Sequence, residues 1–161
     1  MKEVKDLILS FAYAFSGIGK AIRNERNFRI HIVALLTVTI FNLMAGFSAL
    51  HWAVELLCCM VVMSLELVNT AVEKACDAVT REDSPLIGFS KDAAAGAVLV
   101  SAIGSVVIAF LVFFSDKSYG ENVLAFFMSH SVALPGLILF IIAAAAFVFL
   151  PCRKKKERKD L

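Results

Sequence analysis

The chain has 161 residues, of which 60% are hydrophobic and 19% charged, and its mean hydropathy is +0.81. A soluble domain keeps roughly half of its residues apolar, and here the apolar residues run too long for the core of so small a globule, so the composition describes a membrane protein. The formal net charge of +2 is too small to argue for nucleic acid as a partner.

In residues 1–29, Val4, Leu7, Ile8, Phe11 and Phe15 fall at helical spacing opposite Lys2, Lys5, Asp6 and Ser10. That pattern predicts an amphipathic helix lying in the membrane interface. Ala12-Tyr13-Ala14 has the small-x-small form of a signal-peptide cleavage site, but acidic Glu3 and Asp6 and the shortness of the apolar stretch argue against one.

A helix crossing the ~30 Å hydrocarbon layer needs roughly 20 mostly apolar residues, and the gaps between charges supply them. Residues 30–54, 93–115 and 122–152 carry no formal charge, and each predicts one span. Trp52 to about Cys76 is apolar as well yet holds Glu55, Glu66, Asn69, Glu73 and Lys74, and predicts a further span with polar residues inside it. With the N-terminus cytoplasmic, every Lys and Arg except Lys117 falls on the inner side. The positive-inside rule then gives four spans with both ends cytoplasmic. The loop Asn42 to His51 is predicted outside, and Ala78 to Ser90 inside. The expectation is an all-α membrane protein: an amphipathic surface helix and lead-in at 1–29, three spans over 30–115, an extra span over 116–152, and a basic tail at 153–161. That tail reads as a topology anchor or as a patch attracting anionic lipid.

Cys58, Cys59, Cys76 and Cys152 form no metal or disulfide framework, and His31, His51 and His130 are scattered. Gly17-Ile18-Gly19-Lys20-Ala21 lacks the first glycine and the Ser/Thr of a P-loop, and neither a dinucleotide fingerprint nor the protein-kinase triplets occur.

The chemistry concentrates on the second span. At about 100° per residue, Glu66, Asn69, Thr70, Glu73 and Asp77 share one face over about 16 Å of helix. A carboxylate in the bilayer costs at least ~2.5 kcal/mol on insertion scales, so intramembrane acids call for a cation, a proton or a partner helix. One reading is structural, with these acids pairing to Lys74, Arg23, Arg26 or Lys91 to hold helices together. The other is phosphoryl transfer, because Mg²⁺ favours one or two carboxylates plus substrate phosphates. Lys91 and Asp92 open the third span, where helix N-terminal amides favour phosphate.

Three segments carry a resemblance: Asn24-Glu25-Arg26-Asn27-Phe28-Arg29, then Glu66-Leu67-Val68-Asn69-Thr70-Ala71-Val72-Glu73 with Asp77, then Lys91-Asp92-Ala93-Ala94-Ala95-Gly96-Ala97-Val98. Together, over roughly residues 10–114, they resemble the prokaryotic diacylglycerol kinase family, which includes the undecaprenol kinases. The resemblance implies a small integral-membrane lipid kinase, a homotrimer with composite sites between subunits, using ATP as co-substrate and Mg²⁺ as cofactor. It implies that Glu25 and Glu73 hold Mg²⁺ with the ATP phosphates and that Lys91 contacts phosphate. Asn69 and Asp92 would order the nucleotide, Tyr13 would stack on adenine, and Glu66 would be the base that takes the proton of the lipid hydroxyl. The run Glu25 to His31 looks more like the undecaprenol branch than the diacylglycerol branch.

The resemblance stops before the extra span, where Pro135 and Pro151 are candidates to kink or end a helix. Ala93, Ala97, Ser101, Ser105 and Ala109 form a small-residue row with Gly96 and Gly104 nearby, suited to close helix packing either between subunits or within one. Two functions compete. A lipid kinase accounts for polar groups clustered at one membrane surface; a non-enzymatic interaction or transport subunit would spread them through the midplane.

Overall fold

A computed structural model describes residues 2–79 and 84–151, and among them every regular element is an α-helix. In chain order these are α1 (Lys2–Asn24), α2 (Arg26–Ala45), α3 (Ala49–Val79), α4 (Pro85–Phe113), α5 (Lys117–Ser129) and α6 (Ala133–Phe149). Arg81, Glu82 and Asp83 of the predicted inner loop, Cys152 and the basic tail at 153–161 lie outside the described residues.

Helix α1 is the amphipathic helix the spacing predicts. Its apolar face is open, with Val4, Leu7, Ile8, Phe11 and Phe15 all exposed, and α1 joins the body at its C-terminal end, where Ala21 is buried. An apolar stripe left uncovered in this way suits a membrane interface. Glu25 then adopts extended geometry (φ −111°, ψ 114°) at the N-cap of α2, while its N–H still bonds to the Ala21 carbonyl at 2.9 Å. One extended residue turns the chain from α1 into α2.

The sequence predicts that the first span opens at residue 30, but α2 begins at Arg26. The reason is Arg29, which charge counting assigns to water and which is in fact 2% exposed, its guanidinium bonded to backbone carbonyls. At the far end Gly46 is left-handed (φ 70°, ψ 38°), and its N–H and that of Phe47 both bond to the Asn42 carbonyl, closing α2 as glycine does after many helices. The predicted outer loop therefore shrinks to the turn between Ala45 and Ala49.

Helix α3 has 31 residues. At ~1.5 Å each it measures about 46 Å, more than the hydrocarbon layer requires, so part of it projects beyond. Ser84 in extended geometry and Pro85 in the first turn start α4, where proline's missing N–H costs nothing. Helices α3 and α4 pair as a hairpin. The buried polar groups Arg29, Asn42, Glu55, Glu66 and Asn69 nearly match in number the buried apolar Ala21, Phe28, Ala45, Phe47, Val62 and Val98, while large apolar side chains cover the outside. That inverts the usual soluble pattern.

The fourth predicted span is not one straight helix. Three helices are individually long and apolar enough to cross a membrane, and a fourth crossing exists if α5 and α6, bent by 102°, count as one broken span. The chain turns after Ser129, and Pro135 falls in the first turn of α6, where an N–H has no helical acceptor to lose. Pro151 follows the helix end. The extension lies along α2, where Asn122 Nδ2 donates to the Ala45 carbonyl at 2.9 Å and Arg29 Nη1 reaches the Leu150 carbonyl at 2.6 Å, and it touches the start of α3, where Tyr119 and His51 share a hydrogen bond of 3.0 Å. Helix α6 thus ends at the corner where α2 begins.

Candidate active site

The polar face of α3 meets the α1–α2 elbow and the start of α4, and the predicted carboxylates gather there. Glu66 is 3% exposed; the Asn27 side chain approaches its carboxyl, and Glu25 and Glu73 lie within electrostatic reach. One helical turn on, Asn69 Nδ2 donates to Glu73 Oε1 at 3.2 Å, while Asn69 Oδ1 is buried with no hydrogen-bond partner among the described residues. Glu25 Oε1 pairs with Lys74 Nζ at 3.2 Å, and Lys91 Nζ bonds to Asp77 Oδ1 at 2.6 Å.

These partners are unequal. Glu66 and Asn69 are buried, whereas Lys74, Asp77 and Asp92 are exposed. Ion pairs open to solvent contribute little and exchange readily, so Glu25 and Lys91 can leave their partners for a ligand. The fixed part of the site is Glu66 with Asn69, and the adaptable part is Glu25, Glu73 and Lys91. The Asp77–Lys91 pair belongs to the structural reading of the acidic stripe and forms at its exposed margin rather than at Glu66, while Lys74 pairs with Glu25 of the elbow instead of with an acid of the stripe.

Tyr13 stands apart. It is 73% exposed on α1 and makes no hydrogen bond or ring contact among the described residues. Asp92 is exposed on the first turns of α4 without an ion pair of its own among the described residues. Asn27 and Arg29 are the neighbours that sequence reasoning left out of the site. Both stand in the Asn24 to Arg29 run, and that shared run was the available signal. Among the described residues no three His, Cys, Asp or Glu side chains converge to hold a metal by themselves. Glu25, Glu73 and the orphaned Asn69 oxygen are nonetheless all hard oxygen donors, the kind Mg²⁺ accepts when phosphates complete its shell.

The prokaryotic diacylglycerol kinase profile matches residues 12–113. The chain belongs to that family. Membership covers the elbow, α3 and α4, and leaves α5 and α6 outside. The chain is 40% identical over 111 residues to an undecaprenol kinase of Bacillus subtilis, an alignment spanning 69% of this chain and 90% of that one. It is 39% identical over 104 residues to a diacylglycerol kinase of Synechocystis, covering 64% of this chain and 59% of the relative. With a diacylglycerol kinase of Escherichia coli it shares 30% over 101 residues, covering 63% of this chain and 83% of that enzyme. No solved structure matches the chain.

Proposed function

We propose that the protein is a membrane lipid kinase that transfers the γ-phosphoryl group of MgATP to a lipid hydroxyl, with undecaprenol preferred over diacylglycerol. The observation that carries the reading is the joining of Glu25, Glu66, Asn69, Glu73 and Lys91 at one end of the helix bundle, in a chain of this family. Phosphoryl transfer asks mainly for positioning and charge neutralisation, and this set supplies both. The 40% identity reaching over 90% of the Bacillus undecaprenol kinase supports the choice of a polyprenol.

Glu25 and Glu73 would hold Mg²⁺ with the ATP phosphates, and Asn69 Oδ1 is an acceptor available beside them. Bound there, the ion would neutralise charge on the phosphates. Lys91 exchanges Asp77 for a phosphate oxygen, Asp92 orders the nucleotide beside it, and Tyr13 stacks on the adenine. Glu66, the deepest carboxylate of the set, takes the proton from the lipid hydroxyl as its oxygen bonds to the γ-phosphorus and the bond from that phosphorus to the β,γ-bridging oxygen breaks, releasing ADP. We read the assembly as a homotrimer in a prokaryotic inner membrane, with both chain ends cytoplasmic. The return of α6 to the start of α2 supports that topology, and the exposed Ala93 and Ala97 on α4 support a partner for that helix.

The test uses the purified full chain with labelled ATP and Mg²⁺, and undecaprenol and diacylglycerol presented in identical bilayers. Faster labelling of undecaprenol is expected. A clear preference for diacylglycerol would reverse the substrate assignment, and no labelled lipid with either would overturn the kinase reading in favour of an interaction subunit.

A further inference from the structure

Arg29 has its guanidinium spread over two helix ends. Nε donates to the Ile22 carbonyl at 2.8 Å and Nη2 to the Arg23 carbonyl at 2.9 Å, both in the last turn of α1. Nη1 donates to the carbonyls of Phe147, Val148 and Leu150 at 3.3, 3.4 and 2.6 Å, where α6 ends. The last carbonyls of a helix lack intrahelical donors and carry the negative end of its dipole, so one cation closes α1 and α6 together. The elbow between them holds Glu25, whose N–H bonds to the Ala21 carbonyl at 2.9 Å and whose own carbonyl accepts from the Arg29 N–H at 3.4 Å. Glu25 thus stands at the junction of α1 and α2, and Arg29 of α2 bonds across that junction to the last turn of α1.

We propose that Arg29 is a positioning residue through which the C-terminal helix α6 holds the α1–α2 elbow, and with it the Glu25 carboxylate, in the geometry that MgATP binding requires. The inference rests on Glu25 being a ligand of Mg²⁺ and the nucleotide phosphates. It makes α6, which lies beyond the family match at residues 12–113, a working part of the nucleotide site. A buried guanidinium is costly when its acceptors are removed. Without the three carbonyls of α6, Arg29 turns toward other acceptors and the elbow loosens.

The experiment measures affinity for a non-hydrolysable ATP analogue with Mg²⁺, and amide hydrogen exchange at Glu25 and Arg29, in the full chain in detergent. The variants are Arg29→Gln, Arg29→Lys, Val148→Pro, the double variant Arg29→Gln/Val148→Pro, and Glu25→Gln. A proline at 148 disturbs the last turn of α6 without touching the elbow. Arg29→Gln and Val148→Pro are each expected to weaken binding about tenfold and to speed exchange at both amides, and the double variant to be no worse than the worse single, as groups acting through one contact are non-additive. Arg29→Lys falls between, since lysine keeps the charge and loses the fork, and it guards against a variant that simply fails to fold. Unchanged affinity in Arg29→Gln, or multiplied losses in the double variant, overturns the inference. Weakened binding in Glu25→Gln beside normal binding in Arg29→Gln and Val148→Pro refutes the positioning role alone. Normal binding in Glu25→Gln refutes the ligand role and the positioning role with it.

Discussion

Glu66 and Glu73 share one face of α3 but sit seven residues apart, about 10 Å along the axis, and Glu66 is the more deeply buried of the two. In the proposed reading, depth divides the work. Replacing Glu66 by Gln is then expected to remove a proton acceptor, an effect of typically 10²- to 10⁴-fold on turnover, and to leave nucleotide affinity largely intact. Replacing Glu73 by Gln is expected to remove a proposed Mg²⁺ ligand and to weaken MgATP binding as well as turnover. Titrating MgATP into both variants by calorimetry decides between them, and nucleotide binding lost in Glu66→Gln but kept in Glu73→Gln reverses the roles. The face itself could be read from the sequence, because residues 66, 69, 73 and 77 recur at the helical period. Their partners could not. Periodicity says which residues share a stripe, not which helix crosses it, so Asn27 beside Glu66 and the five carbonyls around Arg29 became visible only once the helices were packed.

At the scale of the elements, the turn between α2 and α3 depends on the left-handed geometry of Gly46. Gly46 has φ of 70°, and a methyl group added there would meet Asn122 Nδ2 at 3.5 Å, an ordinary contact. Gly46→Ala is therefore expected to lower stability by about 1 kcal/mol, the cost of a left-handed residue with a Cβ, measured by thermal unfolding in detergent. Helix α5 carries a different dependence. The Asp116 side chain accepts from the Ser118 N–H at 2.8 Å, and hydrogen bonds from Ser118 hold its carboxyl below the usual aspartate range. A carboxyl whose folded pKa is depressed stabilises the fold above its unfolded value and loses that contribution as pH falls through the folded one. The first turn of α5 should fray in acid, seen as faster exchange at the Ser118 amide, and Asp116→Asn should flatten that pH dependence while keeping an acceptor at the cap. The number of apolar segments was readable from the gaps between charges. The 102° break inside the last one was not, because the run from 122 to 152 contains no charge to mark it.

For the molecule as a whole, α4 is the least covered of the three helices that are each long and apolar enough to cross a membrane. Val98 is its one buried residue among those described, Ala93 and Ala97 are exposed, and a Cβ at Gly96 or Gly104 would meet nothing. Ala97→Leu should thus leave the isolated chain as stable as before and yet weaken assembly, since a large side chain keeps helix backbones apart. Light scattering of the detergent complex reads the mass; an unchanged mass would move the proposed subunit contact elsewhere.

The Arg29 contacts also have a meaning in time. Its partners on α6 lie 118 to 121 residues further along the chain, and at ~5–20 residues per second they leave the ribosome roughly 6 to 24 seconds after Arg29 does. Throughout that interval the nascent elbow carries a guanidinium without its α6 acceptors, so the elbow is completed only after α6 has been synthesised. A chain stalled before Phe147 would then have all of its family core and an unfinished elbow, so the proposed nucleotide site would wait for a helix that lies beyond that core.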